Sequence, residues 1–159
     1  MVAGKQAPFY QMIVVVDSNI LFSACISAER ENRISEVLFN RLPYLQRISC
    51  YYAIAELFKH QEKLKKASKL SADNLSSLLY AIFKQVEFYN EDTIDQINWL
   101  ETDRLTKEVD SKDITFVALA LQTGGLLWTG EKKLANHLKT FGFESVVNTA
   151  ELYELLNLH

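Results

Sequence analysis

The stretch MIVVVDSNILFSA, residues 12–24, places a carboxylate directly after an apolar run. Residues 12–16 are all apolar, which is typical of a strand that is covered on both faces of a sheet. Asp17 ends the run, and the apolar pattern that resumes over residues 18–24 predicts a helix. We therefore expect a strand followed by a helix, with an acidic side chain at the carboxyl end of the strand.

Short apolar strands alternate with helical segments along the rest of the chain. The pattern predicts strands at 46–50, 86–89, 126–129 and 144–148, and helices at about 28–41, 51–67, 71–85, 90–109, 111–125, 131–142 and 149–158. This alternation indicates an α/β fold, a three-layer α/β/α sandwich around a central, mostly parallel sheet. We expect one domain over 12–159, preceded by an N-terminal extension over 1–11.

The composition restricts the function classes. The formal net charge of the 159 residues is −3, which excludes a uniformly basic nucleic-acid-binding protein, so a polyanion would need a local basic patch or a metal ion. Cys25 and Cys50 provide neither a disulfide framework nor a zinc motif, and we expect two reduced core thiols in a cytoplasmic protein. The chain has no apolar run of the roughly 20 residues that cross a bilayer, so we expect no membrane partner.

Four acidic residues lie where strands end and helices begin. They are Asp17, Glu56, Asp113 and Glu131. Ligands of open α/β sheets bind beyond the carboxyl ends of the strands, where these side chains could meet. Each acid also has a simpler interpretation: Asp17 can cap a helix, Glu56 can face solvent, and an acid in a first helical turn is favoured by the helix dipole. The sequence pattern leaves both interpretations open.

Convergence of the four acids would call for a cation. Clustered carboxylates repel one another, and some must bind protons unless a cation is present. Mg²⁺ prefers oxygen ligands, and Mn²⁺ accepts the same kind. The histidines His60, His137 and His159 are scattered along the sequence and are predicted to be surface residues. A carboxylate site for a hard divalent ion is therefore the expected form of any metal centre.

Four segments resemble the blocks of the PIN domain family, and within it the VapC-like ribonucleases of prokaryotic toxin–antitoxin systems. They are VVVDSNIL (14–21), AIAELFKH (53–60), VDSKDITFVALAL (109–121) and LLWTGEKKL (126–134). The resemblance spans nearly all of 12–157 and keeps the order and approximate spacing of the blocks. One position departs from the family pattern, since the fourth block usually has Asp where this chain has Glu131.

The resemblance implies a PIN-like fold and a metal-dependent endoribonuclease with one or two Mg²⁺ or Mn²⁺ ions. On this basis Asp17, Glu56, Asp113 and Glu131 would be catalytic and metal-binding residues, with Asp110 as an additional ligand. Ser18, Asn19 and Thr129 would orient ligands or water. The resemblance further implies the toxin of a type II toxin–antitoxin pair, with a cognate antitoxin and a homodimeric state.

An RNA substrate would have to be held by a net-negative protein. The segment KHQEKLKKASK, residues 59–69, holds five lysines, and Lys112 and Lys132 lie beside the third and fourth acids. Lysine contacts to phosphate supply affinity without sequence information. A solvated helix face is the alternative use of the lysine-rich segment, so we regard Lys112 and Lys132 as the stronger candidates for substrate contacts.

Two other functions are compatible with parts of the pattern. The first is a catalytically weakened PIN-like module that binds RNA or protein, which the presence of Glu131 keeps open. The second is a phosphotransfer domain, either receiver-like or a haloacid-dehalogenase-like phosphatase. That phosphatase pattern needs a second Asp two residues after the first, and this chain has Asn19 there. The helices predicted at 71–85 and 93–107 provide apolar faces for docking or dimerisation, although core packing is the more frequent use of such faces.

Overall fold

A computed structural model of the chain describes residues 11–27, 32–109 and 113–158. Its centre is a sheet in which all strand pairs are parallel. The strands are β1 (Met12–Val16), β2 (Leu45–Cys50), β3 (Glu87–Tyr89), β4 (Leu126–Trp128) and β5 (Val146–Val147). The predicted α/β class with a parallel central sheet is confirmed.

Helices follow the strands along the chain. Within the described ranges they are α1 (Ser18–Ile26), α2 (Arg33–Phe39), α3 (Tyr51–Lys59), α4 (Gln61–Ser68), α5 (Ala72–Gln85), α6 (Gln96–Thr106), α7 (Ile114–Thr123), α8 (Lys132–Thr140) and α9 (Thr149–Leu155). No described helix is long and apolar enough to cross a bilayer. Of the predicted extension over 1–11, all but Gln11 lies outside the described residues.

The strand order is β3-β2-β1-β4-β5, which puts the first strand at the middle of the sheet. Val14 of β1 pairs with Arg47 of β2 on one side and with Leu126 of β4 on the other. The chain builds one half of the sheet through β2 and β3 and then crosses over to build the other half through β4 and β5. Ligands of such sheets bind where the order reverses, which here is between the carboxyl ends of β1 and β4.

The apolar run of β1 is buried because helices cover both faces of the sheet. Val14, Val15 and Val16 have no solvent exposure, as expected for a central strand of a parallel sheet. In α7, the consecutive residues 116–120 are also buried. Both cysteines are buried free thiols, in agreement with their predicted place in the core. The carboxyl end of β1 is therefore held by the most deeply packed part of the fold.

The end of α7 depends on two successive glycines. Gly124 has φ +72°, a left-handed conformation that ends helices at low cost for glycine. A Cβ added at Gly125 would lie 2.8 Å from Ile13 Cγ2 and 3.0 Å from the Ile13 carbonyl oxygen. Gly125 therefore allows the chain to pass directly against β1 before β4 begins.

Two predicted helices differ from the observed ones. The helix predicted over 51–67 is interrupted at His60, whose backbone (φ −106°, ψ 25°) ends α3 and begins α4. The helix predicted over 90–109 starts only at Gln96, because Asn90 forms a local turn with its side chain accepting from the Asp92 amide. This turn contains the short 3₁₀ helix Glu91–Thr93. Asparagine side chains compete with helical hydrogen bonding in this way.

The helix predicted over 28–41 is shorter than expected within the described residues. It appears as α2, which begins after Asn32 and ends before Asn40. The Asn32 side chain accepts from the Ser35 amide and caps the helix at 2.9 Å. The capping signal at Ser71 before α5 is confirmed by a 3.1 Å bond from the Asn74 amide to the Ser71 hydroxyl. Local capping thus determines both helix starts.

Candidate metal centre

Asp17 directly follows the carboxyl end of β1, the middle strand of the sheet, and is fully buried. Its Oδ1 accepts a hydrogen bond of 2.9 Å from the Ile20 amide, so the residue does cap α1 as one interpretation predicted. Its Oδ2 is buried and has no hydrogen-bond partner among the described residues. Leaving a buried carboxylate oxygen unpaired is costly. Capping therefore accounts for Oδ1 of Asp17 but not for Oδ2.

Asp113 and Glu131 reach the same region from α7 and α8. Asp113 is the N-cap residue of α7 and is buried, and Glu131 is the N-cap residue of α8. Neither carboxyl group caps its own helix by a side-chain hydrogen bond. The two carboxyl groups instead share a hydrogen bond, and both interact electrostatically with Asp17. Asp17 and Glu131, which follow β1 and β4, and Asp113, which lies between α6 and α7, thus form one group, named here the acidic cluster.

Two residues of the acidic cluster, Asp17 and Asp113, hold protons more tightly than isolated carboxyl groups do. Burial is the main reason that the pKa of Asp17 is raised to about 6, with the nearby charge of Glu131 adding to the shift, while the Thr129 side chain and the Ile20 amide oppose it. The pKa of Asp113 is raised to about 8, mainly by burial, with the nearby charge of Asp17 and the hydrogen bond and charge of Glu131 contributing. A divalent cation would offset the same burial and repulsion.

Glu56 occupies a different environment on α3. Its Oε2 lies 3.2 Å from His60 Nε2, one helical turn away. Hydrogen bonding from Tyr52 is the main cause that lowers the pKa of Glu56, and Lys59 and His60 contribute. Glu56 is close enough to raise the pKa of Asp113, although less than Asp17 and Glu131 do. The fourth predicted acid thus borders the cluster while being held by residues of its own helix.

The three polar residues expected to support the acids lie beside the cluster. Asn19 Nδ2 donates a hydrogen bond of 3.0 Å to Glu131 Oε1. The Thr129 hydroxyl accepts from the Glu131 amide at 3.1 Å, which fixes the turn that carries Glu131. Ser18 is buried at the wall of the adjacent cavity. Asn19 and Thr129 therefore both position Glu131, one through its side chain and one through its backbone.

A cavity of about 530 Å³ opens onto the acidic cluster. Asp113, Glu131 and Glu56 line one part of it. Ser18, Asn19 and Lys63 of the lysine-rich segment also line it, together with four residues that were not predicted for the site: Phe22, Ile26, Tyr52 and His60. The spacing of four residues between Tyr52, Glu56 and His60 is a helical signal that could have placed them on one face. His60 was expected to be a surface residue, and although its side chain keeps 40% exposure it borders the cavity.

The predicted substrate lysines have different positions. Lys132 is exposed in the first turn of α8 and does not line the cavity, whereas Lys63 of α4 does. Lys112 and the additional acid Asp110 lie outside the described residues. Among the lysines of the described chain, Lys63 is therefore the one that borders the cavity.

The residues present suit a hard divalent ion in their chemistry. The donors are carboxylate oxygens, one of them the unpaired Oδ2 of Asp17. In the described part of the chain, no three His, Cys, Asp or Glu side chains form a preassembled metal shell. Glu131 and Glu56 are engaged instead by Asn19 and His60. Asp17 and Asp113 are therefore the carboxylates that could hold an ion, and Glu131 and Glu56 would have to exchange hydrogen bonds to join them.

Comparison with known proteins agrees with this architecture. The sequence profile of the family described as PIN domain matches residues 15–150. No curated protein sequence matches the chain at a significant level.

Similar solved structures share the fold at low sequence identity. VapBC2 from Rickettsia felis, solved bound to a DNA fragment from their promoter, has a TM-score of 0.62 and 17% identity, covering 86% of this chain and 98% of that chain. VapBC-1 from nontypeable Haemophilus influenzae has a TM-score of 0.63 and 15% identity, with coverage of 87% and 99%. PAE2754 from Pyrobaculum aerophilum has a TM-score of 0.60 and 15% identity, with coverage of 93% and 91%.

Proposed function

This chain belongs to the PIN domain family, and we propose that it is a divalent-metal-dependent endoribonuclease that hydrolyses phosphodiester bonds of RNA. The observation that carries the proposal is the acidic cluster of Asp17, Asp113 and Glu131 at the carboxyl edge of the sheet. Asp17 contributes a buried oxygen without a hydrogen-bond partner in the described chain. A cluster of this kind suits a cation and, through it, a phosphate group.

Each acidic residue has a distinct part in this proposal. Asp17, which is buried, and Asp113, Glu131 and Glu56, which line the cavity, would hold Mg²⁺ or Mn²⁺. When bound, such an ion supplies activation of water and neutralisation of charge on the phosphate. Asn19 and Thr129 keep Glu131 oriented toward the cluster. Asp110 and Lys112, which lie outside the described residues, remain candidates for an additional ligand and a phosphate contact.

The test is cleavage of a labelled single-stranded RNA by the wild type and by Asp17→Asn, each in Mg²⁺, Mn²⁺ and EDTA. Asparagine at position 17 can still accept the bond from Ile20, so the fold should survive while the charge is lost. A matched control is Asp103→Asn, because Asp103 is exposed on α6 outside the cavity. We expect cleavage in metal by the wild type and the control only. Cleavage that persists in EDTA, or in Asp17→Asn, would contradict the proposal.

We further propose that the enzyme is the toxin of a type II pair and that an antitoxin protein neutralises it in the cytoplasm. The support is its PIN domain family and a fold shared with structures described as VapBC. Induced expression in a bacterial host should arrest growth for the wild type and not for Asp17→Asn. Growth arrest that is equal for both proteins would point to a cause other than RNA cleavage.

A homodimer is the oligomeric state that we propose. On α6, Ile97 and Leu100 are 72% and 58% exposed and lie one turn apart, so this helix has an uncovered apolar face. In α5 the corresponding apolar residues Leu75, Leu79 and Ile82 are buried in the core. Light scattering should give twice the monomer mass for the wild type, and monomers for Ile97→Ser combined with Leu100→Ser. A monomeric wild type would reject the dimer.

The alternative is a PIN-like module that binds RNA or protein without cleaving. The observation that favours this alternative is that the Glu131 carboxylate is already hydrogen-bonded by Asn19 and Asp113. RNA binding by the wild type without metal-dependent cleavage would support the module.

A further inference from the structure

The cavity beside the acidic cluster has a second side made of aromatic and basic residues. Phe22 comes from α1, Tyr52 from α3, His60 from the junction of α3 with α4, and Lys63 from α4. None of these residues belongs to the acidic cluster. Aromatic rings are not required to hold a metal ion, so their presence around a cavity of about 530 Å³ points to a larger ligand.

The rings on this side are held in place by their neighbours. The centroids of Phe22 and His60 are 5.8 Å apart, with their planes at 57° to each other. Tyr52 packs against Phe116 with centroids 6.1 Å apart, and its hydroxyl is held by Glu56. Phe22 and Tyr52 are each half-buried, so part of each ring faces the cavity. Rings fixed in this way lose little side-chain entropy when a planar group packs against them.

Charge on the two sides of the cavity is opposite in sign. The acidic cluster and Glu56 repel a polyanion, whereas Lys63 lies on the cavity wall formed by α4. No described acidic residue forms an ion pair with Lys63. A ligand with a planar apolar part and a phosphate would satisfy both the rings and the lysine.

We infer that this side of the cavity, formed by Phe22, Tyr52, His60 and Lys63, binds one nucleotide of single-stranded RNA next to the phosphate that is cut. The base packs against Phe22 and Tyr52, and the phosphate of that nucleotide contacts Lys63. The inference rests on the proposed ribonuclease function and adds the residues that contact the base and the phosphate beside the cut. Because bases in a duplex are stacked within the helix, only an unpaired base can reach these rings. Packing on aromatic rings tolerates any base, so this subsite selects single strands rather than a sequence.

The test is binding of a fluorescein-labelled single-stranded RNA of ten nucleotides, measured by anisotropy in EDTA, where metal-dependent cleavage does not occur. Phe22→Leu removes the ring, and Phe22→Trp keeps an aromatic face. The matched control is Phe39→Leu, since Phe39 is an exposed phenylalanine of α2 outside this cavity. Lys63→Gln is paired with Lys66→Gln, an exposed lysine of the same helix that does not line the cavity.

We expect Phe22→Leu to weaken binding about 5- to 150-fold, the range for loss of one base–aromatic contact, and Phe22→Trp to bind like the wild type. Lys63→Gln should weaken binding and reduce the slope of log K against log salt by about 0.7, the value for one phosphate contact on a single strand. Phe39→Leu and Lys66→Gln should match the wild type. The corresponding RNA duplex should bind more weakly than the single strand.

The inference is overturned if Phe22→Leu is folded and binds like Phe39→Leu, if Lys63→Gln loses no more than Lys66→Gln, or if the duplex binds equally well. Should Phe22→Leu fail to fold, photocrosslinking of the wild type with RNA that contains 4-thiouridine decides the question. Crosslinks on the peptides 48–59 or 60–63, which contain Tyr52 and His60, support the subsite. Crosslinks found only elsewhere overturn it.

Failure of the subsite and failure of the ribonuclease proposal give different results. Metal-dependent cleavage that needs Asp17, together with normal RNA binding by Phe22→Leu and Lys63→Gln, overturns the subsite and leaves the ribonuclease intact. RNA binding that needs Phe22 and Lys63, without any metal-dependent cleavage, supports the subsite and overturns the ribonuclease.

Discussion

Asn19 Nδ2 and Glu131 Oε1 are joined by a hydrogen bond of 3.0 Å, although the two residues are 112 positions apart in the sequence. The bond connects the first turn of α1, next to Asp17, with the start of α8. It thereby links the ends of the two strands between which the sheet order reverses. Glu131 is one methylene longer than aspartate, and its carboxylate is oriented by this contact.

Removal of the Asn19 amide should impair the metal site without unfolding the protein. For Asn19→Ala we expect the Mn²⁺ concentration for half-maximal cleavage to rise about 10- to 100-fold, the usual effect of losing a residue that orients a metal ligand. The Michaelis constant for RNA should change much less. The control is Asn136→Ala, because Asn136 is exposed on α8. Unchanged metal dependence in Asn19→Ala would show that the contact does not position a ligand.

Loss of the Asp113 charge should stabilise the metal-free protein at neutral pH. Folding raises the pKa of Asp113 to about 8 from the ordinary 3.8, so between these values the folded state binds a proton that the unfolded state has released. Wild-type stability therefore falls as pH rises from about 4 to 8. Asp113→Asn should unfold with a free energy higher by on the order of 1–3 kcal/mol at pH 7, and no higher at pH 3.5.

Urea denaturation in EDTA at a series of pH values measures this difference. The control is Asp103→Asn, whose exposed side chain should give the same pH dependence as the wild type. A stability difference for Asp113→Asn that is the same at all pH values would mean that the Asp113 charge is not its cause.

A divalent ion should raise the melting temperature of the wild type because it binds the folded state. At a concentration of 100 times the dissociation constant the gain is about 2.7 kcal/mol, which for a chain of this size corresponds to roughly 5–10 °C. Asp17→Asn should lose most of this gain, and Asp103→Asn should keep it. Thermal unfolding followed with increasing Mn²⁺ provides the measurement, independently of cleavage. Equal shifts in all three proteins would place the ion elsewhere.

A side chain at Gly125 should destabilise the fold. The Cβ of Gly125→Ala would lie 2.8 Å from Ile13 Cγ2, closer than packed atoms approach, so β1 or the end of α7 must shift. We expect a loss of about 1–3 kcal/mol in the free energy of unfolding, the range for an overpacked core. Gly130→Ala is the control, since a Cβ there has no neighbour within 4 Å. Equal stability of the two variants in urea would show that the packing at Ile13 is loose.

Strands and helix ends were predictable from the sequence where they depend on neighbouring residues. The apolar run before Asp17, the cap at Ser71 and the glycine after α7 all act within a few positions. The interruption at His60 was not predictable, since residues 51–67 contain no glycine or proline that would signal a break. α6 starts at Gln96 rather than at residue 90 because the Asn90 side chain forms a local turn, and such turns compete with helix formation.

The candidate site was predictable in its residue types and only in part in its arrangement. The sequence pattern predicted four acids at strand ends, and the structure brings Asp17, Asp113 and Glu131 into one cluster, although Asp113 lies between α6 and α7. Glu56 is instead held by Tyr52 and His60, because residues four apart on a helix contact one another. The aromatic side of the cavity was not predictable, since Phe22 and Tyr52 carry no sequence signal that distinguishes them from core residues.

The sequence by itself determined the parallel α/β class and the location of Asp17 and Glu131 between a strand and a helix, because the burial of a strand and the ends of helices follow from local patterns of apolar, polar and glycine residues. Only the tertiary structure decided which acids share a hydrogen bond, which oxygen of Asp17 is left unpaired, and which lysine borders the cavity. The physical reason is that these contacts join residues that are far apart in the sequence, so no local pattern encodes them. Contacts such as that of Asn19 with Glu131 depend on the strand order and register that pack α1 beside α8.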